Sequence, residues 1–600
     1  STDLDGAYTL NAPANGVLEF SSLGYETVAV PVNSRSVIDV SLADDALMLQ
    51  ETVVVGYGTQ KKENLTGAVA SINTSKQLES RPIADIGRGL QGATPGLNVR
   101  IGNAEVGSDP IMRIRGQVGS SEGGSSPLIL MDNVEIPSIN LINPDDIESI
   151  SILKDAASAS IYGAKAAFGV ILITTKKGNK ESEKINVTYS GNMAFQNMAQ
   201  KYEVAGSEGL HYTVEAAERV GTYTPTGAFW LIDRAGYNAS KAWEEKYADL
   251  DPDSPFTYGR DWYVDASNRK IGVRTFNPYH YLVRNNAPTQ THNLNIAGSK
   301  GNTNFNISLG YLDQTGMMKT TDYDKYSRYN ANVRVSTKIN NWLTVRSGLM
   351  YSKTEKNWSY ATNSTTADIW YYVYRWGPTY PLVKQDEYGN NLRNATYETS
   401  VGNKASKTNA YTSANVGTTI TPVKNWNIDF DYTYANSTVG YFYPGTRLTA
   451  GDTWSAALDY KDENGVQPNV NNEWAQYNLL GSSLPAKMLN CYTYTSATAT
   501  LNSVYQDSYT GERNTYNATT TYDLNIKDAH KMRFMLGMNA VQYTETGVWG
   551  RKIGLLDVTN PQFDLATGTQ TSGGGHSWNS QLGFFGRINY NFKERYLLEA

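Results

Sequence analysis

Cysteine and histidine are scarce in this chain, and long apolar runs are missing. The lone Cys491 excludes an intramolecular disulfide, and five His in 600 residues leave little for a metal centre. No run of about 18 apolar residues occurs, so no transmembrane helix is predicted. These absences argue against a disulfide scaffold, a metalloenzyme and a helical membrane protein.

Charge is also sparse. Charged residues make up 18% of the chain, the net charge is -6, and the Lys and Arg residues are scattered. A nucleic-acid-binding face would need a basic patch. We therefore predict no nucleic-acid partner.

Tyrosine, tryptophan and glycine are abundant instead, with 42 Tyr, 12 Trp and 52 Gly and a mean hydropathy of -0.47. A single soluble core seldom grows beyond roughly 250 to 300 residues. A membrane β-barrel needs no thick core, because its strands alternate between a lipid face and a watery face. The composition fits such a barrel.

Apolar and polar residues alternate with period 2 after residue 183. The clearest runs are 185–196, 305–311, 426–434 and 532–540. No position on the apolar face of these runs is charged. This matters because a Lys or Arg facing the middle of a bilayer costs roughly 2 to 4 kcal/mol.

The connections between these strands alternate in length. Long connections are predicted at about 197–290, 313–327, 352–409, 437–513 and 547–578, and short ones at 299–303, 337–342, 421–425, 527–530 and 592–595. Outer-membrane barrels place long loops on one rim and short turns on the other. Trp342 and Trp426 follow short turns, where an aromatic girdle would lie. A soluble β-sandwich or propeller, the main alternative, has no such asymmetry.

The first third of the chain is organised differently. Residues 1–44 contain short alternating runs separated by turn signals, as in a β-sandwich fragment. Residues 45–65 read as a linker with an extended Val-rich run. Candidate strands then mix with short helical stretches around 84–91 and 154–161, which predicts a small α+β domain.

Four stretches of this α+β domain carry a family resemblance. They are 90–97 (LQGATPGL), 114–116 (IRG), 145–150 with 153–156 (DDIESI, LKDA), and 161–163 followed by 169–171 (IYG, GVI). In this order and spacing they resemble the plug of TonB-dependent outer-membrane transporters, specifically the SusC-like (SusC/RagA) branch.

The resemblance implies a mainly β fold and four regions. These are a carboxypeptidase-regulatory-like β-sandwich domain over 1–44, a linker with a TonB box over 45–65, a plug over 66–180, and a transmembrane antiparallel β-barrel over 181–600. Plugged transporter barrels have about 22 strands, of which about half are visible here. We therefore expect the export signal, the start of the first domain and the rest of the barrel to lie outside this sequence.

The resemblance also implies a function in the bacterial outer membrane without a cofactor or metal. It implies active import of oligomeric nutrients, with TonB and its ExbB–ExbD complex supplying energy and a SusD-like surface lipoprotein closing over the barrel. Oligosaccharides are preferred as cargo, and oligopeptides are the alternative. A passive porin or an adhesin is the alternative from another class.

The predicted handle for TonB is an extended peptide that could add as a strand to a partner's sheet. Its residues are Glu51, Thr52, Val53, Val54, Val55 and Gly56. An ordinary buried strand is the competing interpretation. The resemblance further marks a plug motif at Arg115, Gly116, Tyr162 and Gly163.

Candidate substrate contacts are aromatic and polar residues of the long loops and of a Gly/Ser-rich plug loop. Aromatic faces beside Asp and Arg suit sugar rings, but such aromatics also pack loop against loop. The candidates are Glu122, Asp368, Trp370, Tyr372, Tyr374, Arg375 and Trp376.

Three catalytic or ligand-binding motifs are set aside. A GxGxxG pattern at 87–92 follows no buried strand, and a GxSxG pattern at 119–123 lacks the strand-to-helix elbow of a nucleophile. Asp249, Asp251 and Asp253 begin like a calcium loop, but Arg260 occupies the closing Glu position. We therefore predict no enzyme activity.

Overall fold

The structure is a computed structural model. It describes residues 8–20, 28–41, 52–56, 58–61, 67–74, 85–101, 105–116, 126–178, 185–199, 203–221, 233–264, 270–360, 373, 376–446, 448–451, 491–494, 502–527 and 529–600.

Two short hairpins precede the α+β domain. Strands β1 (Val17–Phe20) and β2 (Val28–Pro31) pair antiparallel, and Tyr8 packs edge-on against Phe20 with ring centroids 5.3 Å apart. Strands β3 (Thr52–Val55) and β4 (Gly58–Lys61) form the second hairpin, which contains most of the predicted handle.

The plug is built on a five-stranded sheet. Its elements are β5 (Val69–Asn73), α1 (Ile86–Leu90), β6 (Leu97–Arg100), β7 (Ile111–Ile114), β8 (Leu128–Met131), β9 (Val134–Glu135), β10 (Ile147–Leu153), α2 (Ala156–Ala159) and β11 (Val170–Thr175). The sheet order is β5-β10-β11-β8-β9, and β6 and β7 form a separate hairpin. Strand β11 is apolar along most of its length because both of its faces are buried. The predicted strands and helical stretches of this region are confirmed.

An eleven-stranded antiparallel sheet follows, in which neighbours in the chain are neighbours in space. Its strands are β12 (Asn186–Gln196), β15 (Ala287–Lys300), β16 (Thr303–Thr315), β17 (Lys325–Lys338), β18 (Leu343–Tyr360), β19 (Asn403–Val423), β20 (Trp426–Tyr443), β23 (Ser503–Ile526), β24 (His530–Ile553), β25 (Gln570–Phe592) and β26 (Tyr596–Glu599). Short hairpins β13 (Trp262–Val264) with β14 (Lys270–Gly272), and β21 (Leu448–Gly451) with β22 (Cys491–Tyr494), lie in long connections.

The alternation of connection lengths is confirmed. The short turns are 301–302, 339–342, 424–425, 527–529 and 593–595, and the long connections are 197–286, 316–324, 361–402, 444–502 and 554–569. Because the sheet is an antiparallel meander, all long connections lie on one rim. We call it the long-loop rim.

The two faces of the sheet differ as a plugged membrane barrel requires. Large apolar side chains such as Val187, Leu309 and Leu536 are exposed on the outer face, whereas Asn330 and Asn517 on the inner face are buried. On the outer face, the rings of Tyr189, His292, Tyr311 and Tyr329 form a row across four strands. The fold is therefore the predicted transmembrane antiparallel β-sheet around a plug.

The wall rises well past the membrane on the long-loop rim. A transmembrane strand needs about 9 to 11 residues, but β23 and β24 have 24 each. The halves of β23 and β24 that lead to the long-loop rim therefore extend above the apolar belt. Among the described residues, no α-helix is both long enough and apolar enough to cross a membrane.

Long connections build a subdomain on this rim, which we call the rim subdomain. It contains α3 (Ser207–Arg219), α4 (Arg234–Lys246), α5 (Pro278–Leu282) and α6 (Ala395–Val401). Its core includes Phe256, Trp262 and Leu392. Arg274 is buried inside it, where its Nη1 lies 3.3 Å from Asp261 Oδ2 and its Nη2 donates to Pro252 O at 2.6 Å.

Candidate functional site

The plug-motif residues shape turns of the plug. Arg115 and Gly116 follow β7 with φ of 53° and 68°, and the Arg115 backbone N–H donates to Gly96 O at 2.7 Å. Gly163 has φ of 62° inside the 3₁₀ segment Ser160–Ala166, and Tyr162 packs against an apolar cluster of the plug. Positive φ at Gly116 and Gly163 explains the choice of glycine, which adopts this conformation without strain.

The predicted TonB handle lies against the plug and the inner wall. Thr52–Val55 pairs with Gly58–Lys61 rather than with the preceding domain, and Gly56 makes the turn with φ of 65°. A Cβ at Gly56 would lie 3.2 Å from Ile161 Cδ1 and 3.4 Å from Arg587 Nη2. Glu51 lies outside the described residues. The handle role of this segment stays a prediction.

Most predicted substrate contacts lie outside the described residues, namely Glu122, Asp368, Trp370, Tyr372, Tyr374 and Arg375. Trp376 is described, and it is buried in the rim subdomain. Its Nε1 donates to Tyr380 O at 3.1 Å, and its ring meets Tyr380 edge-on at 5.6 Å. The structure thus gives Trp376 a packing role, and contact with substrate stays a prediction.

A cavity of about 470 Å³ lies between the plug and the upper part of the wall. We call it the plug–wall pocket. The plug contributes loop 105–109 and the 3₁₀ segment Ile139–Leu141, while β17 to β20 contribute inward-facing side chains. Its lining includes Glu105, Asp109, Asn140, Tyr326, Lys356, Trp358, Lys407, Asn409, Tyr441 and Tyr443.

Charges in the plug–wall pocket are balanced. Lys356 forms an ion pair with Glu105, so the wall is tied to the plug loop at this point. Lys407 Nζ lies 5.1 Å from the centre of the Tyr441 ring, in a cation–π contact. With Asp109 opposite, the two cations face two anions. The pocket therefore suits a polar ligand of low net charge.

Several buried polar atoms of this lining have no hydrogen-bond partner among the described residues. They are Asn140 Oδ1, Tyr326 Oη, Trp358 Nε1 and Asn409 Oδ1. Buried polar atoms are normally paired, so these four leave unused hydrogen-bonding capacity just beneath the surface of the cavity. The polar side chains of this lining and the rings of Trp358 and Tyr443 suit a molecule that combines hydroxyl or amide groups with an apolar face.

The plug is also anchored to the wall through Glu135, outside the plug–wall pocket. Glu135 Oε2 lies 2.8 Å from Arg513 Nη1 of β23 and 3.0 Å from Lys165 Nζ of the plug. Burial alone would raise the pKa of Glu135, but the two cations outweigh burial and hold its pKa below the ordinary value. The carboxylate therefore stays ionised and bridges plug and wall.

Sequence reasoning missed the wall residues of the pocket. Trp358, Tyr441 and Tyr443 stand on the inner face, where the alternation elsewhere places Asn, Thr and Ser. Aromatic residues at the polar-face positions of a strand end are the signal that would have found them.

Comparisons with known proteins agree with this architecture. The model of the TonB-dependent Receptor Plug Domain family matches residues 61–170. The TonB-dependent receptor P26 of Formosa agariphila is 27% identical over 612 residues, which cover 100% of this chain and 52% of that protein. The TonB-dependent receptor SusC of Bacteroides thetaiotaomicron is 30% identical over 338 residues, which cover 54% of this chain and 28% of that protein.

Solved structures show the same fold. The RagAB peptide importer in its open-open state matches with a TM-score of 0.60 and 20% identity, over 90% of this chain and 55% of that chain. The chain thus spans about half the length of the P26 receptor and of the matched RagAB chain.

A plug inside an antiparallel membrane sheet defines the class of TonB-dependent receptors. Within that class the chain is SusC-like, and the resemblance stated from its plug sequence is confirmed.

Proposed function

We propose that the protein imports oligomeric nutrients, preferably oligosaccharides, across the bacterial outer membrane with energy from TonB. The plug–wall pocket is the observation that carries this proposal. It opens between the plug and the high wall, it combines ring faces with polar side chains, and its charges are balanced. Neutral sugars, with apolar C–H faces and many hydroxyl groups, match this combination.

The four regions predicted from the sequence are part of the proposal. We assign 1–44 to a carboxypeptidase-regulatory-like domain, 45–65 to a linker with the TonB box, 66–180 to the plug and 181–600 to the barrel. The plug family match over 61–170 and the long-loop rim support these bounds. A SusD-like lipoprotein on the long-loop rim completes the complex, by analogy with the relatives.

Oligopeptides are the second candidate cargo. The matched RagAB structures are described as a peptide importer, and their fold is shared by this chain. Peptide amide groups could also hydrogen-bond with the polar side chains of the plug–wall pocket. Calorimetry on the purified full-length protein with its lipoprotein partner, using defined oligosaccharides and defined peptides, separates the two. Peptide binding without sugar binding would reject the preferred cargo.

The handle can be tested separately from the cargo. Deletion of residues 51–58 should abolish uptake and leave substrate binding intact, because the segment is needed only for pulling. Val54→Pro should have the same effect, since proline removes a backbone donor from an added strand. Val54→Thr keeps that donor and is the matched control. Undiminished uptake by the deletion variant would contradict the handle role of residues 51–58.

A further inference from the structure

Aromatic side chains continue from the plug–wall pocket along the inner wall. Ring centroids are 6.0 Å apart between Trp358 and Tyr443, 5.6 Å between Tyr443 and Tyr505, and 6.1 Å between Tyr505 and Trp549. These four residues stand on β18, β20, β23 and β24, and we call them the aromatic row. Each step is close to the length of one sugar residue in a glycan chain.

The row stands on the inner face throughout. Tyr443 is directly opposite Tyr505 in the β20–β23 register, and Trp549 is opposite Asp507 in the β23–β24 register. Arg513 has the same parity on β23 as Tyr505, and it contacts Glu135 of the plug. Because side chains alternate strictly along a strand, this contact fixes the inward direction of the whole row.

Glycine lets the far end of the row lie flat on the sheet. A Cβ at Gly573 of β25 would come within 2.7 to 2.9 Å of three indole atoms of Trp549. A Cβ at Gly547 would come within 2.6 Å of the Tyr509 ring. Glycine at 573 leaves room for the Trp549 indole to lie over β25, and Gly547 does the same for Tyr509, which is on the same face of β23 but outside the row.

Polar groups flank the rings. Asp507 Oδ2 accepts from Tyr505 Oη at 3.0 Å, and Arg551, opposite Tyr505 on β24, donates from Nε to Ser503 Oγ at 3.2 Å. The buried Nη2 of Arg551 has no hydrogen-bond partner among the described residues. A carboxylate, a hydroxyl and a guanidinium therefore accompany the two rings at this end of the row.

We infer that the aromatic row is an extended carbohydrate subsite, which stacks successive sugar rings and leads the chain into the plug–wall pocket. The inference rests on the proposed function and adds a second binding surface, on β23 and β24, to the pocket. A short sugar fills only the pocket, whereas a longer one also covers Tyr505 and Trp549. Chain length should therefore decide whether Trp549 matters.

Trp549→Ala in the full-length protein with its lipoprotein partner tests this. Calorimetry with disaccharides and hexasaccharides of the malto-, cello- and laminari- series should show a roughly tenfold weaker affinity for the bound hexasaccharide, since a stacked ring is lost. Disaccharide affinity should stay within about twofold. Trp578→Ala is the matched control, because Trp578 is exposed on the outer face of the neighbouring strand β25.

A second pair of variants keeps every ring. Gly573→Ala displaces the Trp549 indole and should weaken hexasaccharide binding in the same direction. Gly575→Ala, on the same face of β25, is its control, because a Cβ there would meet nothing within 4 Å among the described residues. Trp549 fluorescence against the Trp549→Ala background reports whether the indole has moved.

Equal hexasaccharide affinities in Trp549→Ala, Gly573→Ala and the parent would overturn the subsite and leave the import proposal standing. A parent that binds none of these sugars would overturn it as well, and peptide binding in their place would also reject sugar as the preferred cargo. If Val54→Pro abolishes uptake while the hexasaccharide affinity is unchanged, the result supports TonB-driven import and leaves the test of the aromatic row to the Trp549 and Gly573 variants.

Discussion

Breaking the Glu135 bridge should loosen the plug in the wall. Glu135→Gln removes the carboxylate that Arg513 and Lys165 share, with contacts of 2.8 and 3.0 Å. A hydrogen bond to a charged group contributes about 1.5 to 3 kcal/mol. Both Glu135 and Arg513 keep less than a third of their side-chain surface exposed, so solvent screens this pair only in part. We expect roughly 10- to 100-fold more frequent opening of the plug.

Amide hydrogen exchange of β10 and β11 in the full-length protein measures this opening. The cycle of Glu135→Gln, Arg513→Gln and the double variant isolates the coupling between plug and wall. Lys165→Gln is the control, because Lys165 belongs to the plug itself and its side chain is 37% exposed. That variant should have a much smaller effect.

The coupling should also depend on pH. The pKa of Glu135 in the folded protein is lower than its ordinary value, so the bridge stabilises the folded state above the unfolded pKa and is lost as pH falls through the folded pKa. Exchange in the parent should therefore approach that of Glu135→Gln only in acid. Additive effects of the two single variants at pH 7 would refute the bridge.

Three further predictions concern the rim subdomain and the pocket. Burial raises the pKa of Glu398 to about 7 from 4.5, so the parent should lose stability as pH rises through about 7 while Glu398→Gln does not, as thermal unfolding between pH 5 and 8 would show. Arg274→Met removes one of the two cations at buried Asp261, because Arg260 stays at 2.8 Å, and takes a donor from the carbonyls of Pro252 and Ser254. It should cost about 1 to 3 kcal/mol, measured by hydrogen exchange of α4 and β13. Gly107→Ala would overlap the Tyr326 ring at a φ of 72° and should cost about 1 to 3 kcal/mol, with weaker ligand binding in calorimetry.

Each of these has an outcome that contradicts it. If the thermal stability of Glu398→Gln changes with pH in parallel with that of the parent, ionisation of Glu398 does not destabilise the folded protein. Unchanged hydrogen exchange in Arg274→Met would mean that these buried contacts do not stabilise the rim subdomain. Gly92→Ala, at a φ of 73° with nothing within 4 Å of its Cβ among the described residues, is the backbone control for Gly107.

The membrane part of the fold was predictable because lipid imposes a simple rule, namely that side chains on the outer face are apolar and uncharged. Val187, Leu309 and Leu536 follow that rule, and the short turns before Trp342 and Trp426 followed from it. Strand lengths were underestimated. Above the apolar belt the outer face no longer meets lipid, so the alternation relaxes although hydrogen bonding continues along β23 and β24.

The candidate site was less predictable, because it depends on contacts between distant parts of the chain. Tyr443 and Tyr505 are neighbours only through the β20–β23 register, and Lys356 meets Glu105 only because the plug lies inside the wall. Trp376 looked like a loop aromatic open to ligand. It is buried because the rim subdomain forms a core of its own.

The aromatic row stands on hydrogen-bonded strands rather than on loops. Fixing a mobile side chain at an interface costs about 0.5 to 1.5 kcal/mol, but the Trp549 ring, held over Gly573, has lost that freedom during folding. The strand register also fixes the distances between rings. A polymer whose monomer repeat equals this spacing places one monomer on each ring, whereas a polymer with a different repeat cannot contact all the rings at once.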